Sequence, residues 1–135
     1  MCIVQPFVTF FPFLLGCCPR LLIKEMQGNE KYFKEVIAED DCFNGRPVWS
    51  GKKSIFHDGS KWNIGHVDKS QIDYTSTTNL TIKCPQYVGD SWAAVGKFTI
   101  DNGWNVYNVS CIGEHFSKKF NFPLNTKCDL SIPRH

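Results

Sequence analysis

From Cys42 onward chain-reversal signals recur between short apolar-rich runs, and this punctuation restricts the fold more than any other feature of the chain. Asn44-Gly45, Asp58-Gly59, Gly89-Asp90 and Asn102-Gly103 are followed by Pro123 and Pro133. Gly, Asn and Asp accept the positive φ of a tight reversal, and Pro presets φ for a turn. The runs between them, 53–57, 61–65, 79–84, 97–100, 104–111 and 118–122, are rich in Val, Ile, Thr, Phe, Tyr and Trp. Leu80-Thr81-Ile82-Lys83 and Lys119-Phe120-Asn121-Phe122 alternate apolar with polar, which is the period of a half-buried strand. Short strands at this spacing predict an all-β fold, a small antiparallel β-sandwich.

The first 41 residues read differently. Residues 1–18 contain no Asp, Glu, Lys or Arg, and their apolar run stops at Gly16-Cys17-Cys18. A bilayer span needs about 20 apolar residues, and Pro6 and Pro12 would break a helix, so no stable membrane span is expected. An apolar stretch ending in small residues matches a secretory signal peptide over residues 1–18, although no basic residue precedes it. Leu14-Leu15-Gly16-Cys17 also has the form of a lipoprotein box, and a retained anchor or a misplaced start are the alternatives. Residues 19–41 form an N-terminal segment, read as a short helix or a leading strand. Tyr32, Phe33, Val36 and Ile37 fall on one helical face, with Glu30 to Lys34 and Lys31 to Glu35 as i, i+4 ion pairs. No dibasic site marks a cleaved pro-segment. Residues 42–135 make the β domain, one domain being the expectation for a chain of 135 residues.

Taking away the leader removes Cys2, Cys17 and Cys18 and leaves Cys42, Cys84, Cys111 and Cys128. An even count in a small secreted chain implies two disulfides, with three possible connectivities. Cys42 with Cys111 and Cys84 with Cys128 is the preferred pairing, because each bond then joins an early strand to a late one. No C-x-x-C spacing occurs among them, which argues against a zinc or redox motif. Asn79 and Asn108 each open a glycosylation sequon. Leader, cysteines and sequons agree on a secreted, extracellular glycoprotein.

The formal charge of +2 is too small to argue for nucleic acid. His57, His66, His115 and His135 lack the spacing of a zinc site, and neither a G-x-S-x-G elbow nor a glycine-rich phosphate loop is present. No catalytic residue, metal or cofactor is therefore expected, and the chain does not read as an enzyme.

Two segments, 49–64 and 92–106, look alike. Phe56 precedes Trp62, and Phe98 precedes Trp104, by six residues, and each segment ends Trp-Asn before a β-branched residue. Both read as hairpins that would set Phe against Trp across two strands. Alternation then places Trp62 with Ile64, and Trp104 with Val106, on a buried face, with Asn63 and Asn105 outward. Trp49 and Trp92 stand where strands begin and are expected to be accessible. With Lys52 and Lys53 they are the candidate ligand-binding residues, since an accessible aromatic is the best sign of a binding surface.

Asn44-Gly45-Arg46-Pro47-Val48-Trp49, Ile55-Phe56 and Gly59-Ser60-Lys61-Trp62-Asn63-Ile64-Gly65 resemble a module of animal extracellular proteins that continues with Cys84-Pro85, Trp92, Trp104 and Cys111. The resemblance covers about residues 42–111 and implies an extracellular β module with no activity attached. Tyr107-Asn108-Val109-Ser110, Gly113-Glu114, Lys119-Phe120-Asn121-Phe122-Pro123 and Cys128-Asp129-Leu130 are similar to the end of immunoglobulin-like early glycoproteins of adenoviruses, which implies immune modulation. The leading expectation is a secreted module that binds a glycan or protein; the alternative is an immunoglobulin-like immune modulator.

Overall fold

A computed structural model describes residues 17–77 and 82–113 of the chain. Residues 79–81 of the expected strand at 79–84 and the expected strand at 118–122, and with them Asn79, His115, Cys128 and His135, lie outside the described residues; residues 82–84 are described and are not strand. The strands are β1 (Arg20–Gln27), β2 (Glu30–Ala38), β3 (Trp49–Gly51), β4 (Ser54–His57), β5 (Trp62–Gly65), β6 (Ile72–Ser76), β7 (Trp92–Ala94) and β8 (Trp104–Cys111). A 3-10 turn covers Pro85–Tyr87, and one short helix, α1, covers Lys97–Asp101. The fold is all-β and antiparallel, as the turn spacing implied. The eight strands form one sheet in the order β7-β6-β5-β4-β3-β2-β1-β8. This sheet curls until its two edge strands, β7 and β8, lie against one another, so that it is nearly a barrel.

Residues 19–41 are strands, not a helix. Gly28 turns at φ 64 and lets β1 and β2 pair from Gln27–Glu30 back to Arg20–Ile37. Leu21, Ile23 and Val36 point into the core, and Phe33 and Ile37 point out, 57% and 53% exposed. The charges suited to helical i, i+4 pairs bond across the ladder instead: Arg20 to Glu35 and Lys34 to Glu25. Pairing with the apolar β1 outweighs the weak local preference for helix.

The two similar segments fold differently. In the first, β4 and β5 form the expected hairpin with Gly59 at φ 101, but the register corrects the expected Phe56–Trp62 pair: His57 stands opposite Trp62, and Phe56 lies opposite Asn63 and packs edge-on against Phe43. Asp58 Oδ1 accepts the N–H groups of Ser60 and Lys61, which closes that turn. In the second, residues 97–101 coil into α1, so Phe98 is 63% exposed and does not face Trp104 across a hairpin. The hydroxyl of Thr99, its one proton shared between Gly96 O at 2.8 Å and Asp73 O at 3.2 Å, anchors the coil on β6. Gly96 permits the close approach: a Cβ there would lie 2.9 Å from Ile72 O.

The disulfides also depart from expectation. Cys17 bonds Cys84 and Cys18 bonds Cys111, at Cα separations of 5.6 and 5.7 Å. The preferred pairing of Cys42 with Cys111 and Cys84 with Cys128 is therefore corrected; Cys42 is itself disulfide-bonded. The physical reason is the β1–β8 ladder, which sets Cys111 opposite Leu21 and brings it to the neighbouring Cys18. Cys17 and Cys18, which the apolar run had assigned to the leader, belong to the folded domain, and Cys17 is part of its core. Among the described residues no helix is long and apolar enough to cross a membrane.

These bonds close sequence separations of 67 and 93 residues. Replacing Cys17 and Cys84 together by Ser is expected to cost about 4 kcal/mol of stability on the entropic model. Non-reducing peptide mapping should recover Cys17 with Cys84 and Cys18 with Cys111; a peptide joining Cys84 to Cys128 would contradict the fold.

Candidate functional site

The tryptophans locate the candidate site by where they sit on the curled sheet. Trp49, Trp62 and Trp92 are 0%, 1% and 7% exposed, and only Trp104 keeps appreciable accessible surface. Trp49 and Trp62 meet edge to face at 6.0 Å, and their Nε1–H groups donate to Cys18 O and Ile82 O. The expectation that Trp49 and Trp92 are accessible is thus corrected. Trp49 lies opposite Ile55, and Trp92 opposite Ser76, at the end of the sheet that the Cys17 and Cys18 bridges close, so standing at a strand start does not expose them. Lys52 is exposed in the turn after β3, while Lys53 is partly buried in an ion pair with Asp73. The four expected ligand-binding residues do not form a common exposed surface.

Trp104 begins β8 at the opposite end, facing Gln27 of β1. Alternation assigned it correctly to the face of Val106, where it is partly buried and packs against the margin of the core. The Tyr32 ring lies 4.9 Å from the indole, and Lys34 Nζ lies 5.5 Å from its centroid. The Lys34 ammonium also bonds the Glu25 carboxylate, which is 2% exposed. Tyr74 O–H donates to the second Glu25 oxygen at 2.6 Å. Burial, and then the Glu25 carboxylate, push the Tyr74 phenol above its ordinary value and keep it a donor. A line of contacts therefore runs from Trp104 at the surface through Lys34 to Glu25 and Tyr74 inside.

This arrangement suits binding. The indole and phenol offer apolar faces, and the ammonium offers a hydrogen-bond donor whose place is set by a buried carboxylate. The reading of residues 19–41 as a possible helix concealed Tyr32, Lys34 and Glu25. As a strand, the alternation Leu21, Ile23, Glu25 marks an acid on the inward face.

The closed end holds the N-G-R-P-V-W segment. Asn44 and Gly45 turn at φ 55 and 76, while Phe43 and Arg46 exchange backbone hydrogen bonds. Asn44 Nδ2 donates to His57 O, and the Arg46 guanidinium lies 5.9 Å over Trp62. Asn63 points away from Trp62 as expected, yet it is 1% exposed and donates to Asp58 Oδ2. His57 is 1% exposed, and its Nδ1 accepts the Gly59 N–H, so the ring proton belongs on Nε2, which is buried without a partner among the described residues. Burial, and then Arg46, lower the His57 pKa to about 4 against the opposing pull of Asp58. No group of three or more metal-ligating side chains occurs among the described residues. The conspicuous motif thus packs the closed end.

A pKa of about 4 for His57, against 6.5 for a free imidazole, makes the unfolded chain bind the extra proton in that window. The stabilisation is complete above pH ~6.5, is lost as pH falls toward ~4, and amounts to about 3 kcal/mol. Melting temperatures of the wild type and His57→Gln should converge between these pH values; parallel profiles would contradict the buried neutral imidazole.

Comparison with family models, curated proteins and solved structures finds no match to this chain.

Proposed function

We propose that this chain is a secreted binding module, without catalytic activity, that holds an extracellular glycan at Trp104, Tyr32 and Lys34. One observation carries this reading: of the four tryptophans, Trp104 is the one left with appreciable accessible surface, with a second aromatic ring and a cation beside it. A sugar ring has apolar C–H faces that lie on an indole, and hydroxyls that accept from an ammonium. Few, well-placed polar groups among aromatic ones are the usual form of a small-ligand site.

Secretion is supported by the Cys17–Cys84 and Cys18–Cys111 bonds, since structural disulfides persist in oxidising compartments. In this reading the leader ends before Cys17 rather than after Cys18. Asn108, half-buried on the edge strand β8, carries the sequon among the described residues.

A glycan array and a pull-down from extracellular material, each with wild type and Trp104→Ala, test the proposal. The variant should lose binding by about tenfold or more, which is about 1.4 kcal/mol. Its melting temperature should stay within ~5 °C of wild type, whereas Trp62→Ala, at about 3–5 kcal/mol, should unfold the domain. Glycan binding undiminished in Trp104→Ala would refute the site. Capture of a protein in place of any glycan would refute the ligand class.

A further inference from the structure

The β1–β2 hairpin reaches beyond its neighbour β3 and leaves part of one strand edge open. Successive residues of an antiparallel strand present their backbone groups to alternate sides. Ala38 N–H donates to Pro19 O on the β1 side, and Glu39 N–H donates to Val48 O on the β3 side. Odd-numbered residues of β2 therefore face β3. That strand pairs only with Val36, Ile37 and Ala38, and the close approach of Gly51 to Glu35 O marks where its cover ends. Lys31 and Phe33 thus present N–H and C=O groups to a side where no strand pairs among the described residues.

We propose that two copies of this chain pair through this edge, β2 against β2, antiparallel and centred on Tyr32. Charged residues normally keep such an edge from joining another strand. Here their order favours a second copy. The run Glu30-Lys31-Tyr32-Phe33-Lys34 has an acid at one end and a base at the other. Reversing it on itself sets Glu30 opposite Lys34 of the copy, twice, and Tyr32 opposite its own copy. Glu30 also accepts from the Tyr32 hydroxyl of its own chain, and Lys34 also bonds its own Glu25. Lys31 falls opposite Phe33, so the residues with open backbone groups meet one another, and each pair can exchange about two hydrogen bonds. The exposed Phe33 ring then lies along the methylene stem of the facing Lys31. Moving the axis to Phe33 would set Lys31 of the copy opposite Glu35, into the space beside Gly51, and is blocked. The edge is shorter than a standard interface, so association belongs near ~10⁻⁴ M. The pairing rests on the open backbone edge of β2 and not on the glycan reading, but it shares Tyr32 and Lys34 with that site.

Sedimentation equilibrium of the secreted protein, up to about 1 mM, should show the mass rising to that of a dimer. Phe33→Pro removes an outward N–H and leaves the ladder to β1 intact, as edge positions allow, so it should stay monomeric across the same range. Should that variant fail to melt like the wild type, Glu30→Lys, which sets like charges against Lys34, should weaken the dimer by tenfold or more instead. Tyr32→Cys should form a disulfide-linked dimer under air, and Phe33→Cys should not. A monomer at all concentrations overturns the proposal. So does a dimer that survives both Phe33→Pro and Glu30→Lys, or a cross-link through Phe33→Cys alone.

Discussion

The carboxylate of Glu25 is the charge around which this sheet is wrapped. It is 2% exposed on β1, yet it is bonded by Lys34 of β2 and Tyr74 of β6. In the strand order, β6 and β1 are separated by β5, β4, β3 and β2. On a flat sheet those five steps would hold them about 24 Å apart. A hydrogen bond of 2.6 Å between them requires the curl. A buried carboxylate stripped of its partners costs several kcal/mol, so the acid favours the curled arrangement in which Tyr74 and Lys34 both reach it. The apolar lining of Leu21, Ile23, Trp49, Ile55, Ile64 and Val106 supplies the bulk of the driving force, and the carboxylate makes it specific.

The two ends of the curl differ in kind. At one end adjacent cysteines are tied to Cys84 and to the last residue of β8, and Trp49, Trp62 and Trp92 fill the space beneath. At the other, the hairpin of β1 and β2 projects past β3, and the inward face of β8 carries Trp104 beside Tyr32. Glu25 and Lys34 connect this end to the interior, so the side chains offered to a ligand rest on the same charge pair that helps to hold the curl.

The strand class was legible because turn chemistry is local: Asp58-Gly59 reverses the chain by its own hydrogen bonds, whatever packs around it. The segment 19–41 was ambiguous because Tyr32, Phe33, Val36 and Ile37 satisfy a helical period, while its strand partner, Leu21 to Ile23, becomes visible only once the two are paired. The disulfides were misread because an apolar run shows where hydrophobicity ends and not where a folded domain begins. The tryptophans were half legible. Alternation named the inward face of Trp62 and Trp104, but nothing local to either residue tells which end of a curled sheet is shut. That depends on Cys17 and Cys18, distant in sequence from both.

The curl leaves one tryptophan, Trp104, in reach of solvent. Acrylamide quenching of the native protein's fluorescence measures this directly. One accessible emitting fraction is expected, which disappears in Trp104→Phe and persists in Trp49→Phe and Trp92→Phe. Quenching that survives in Trp104→Phe, or is lost in either of the other two, would contradict it.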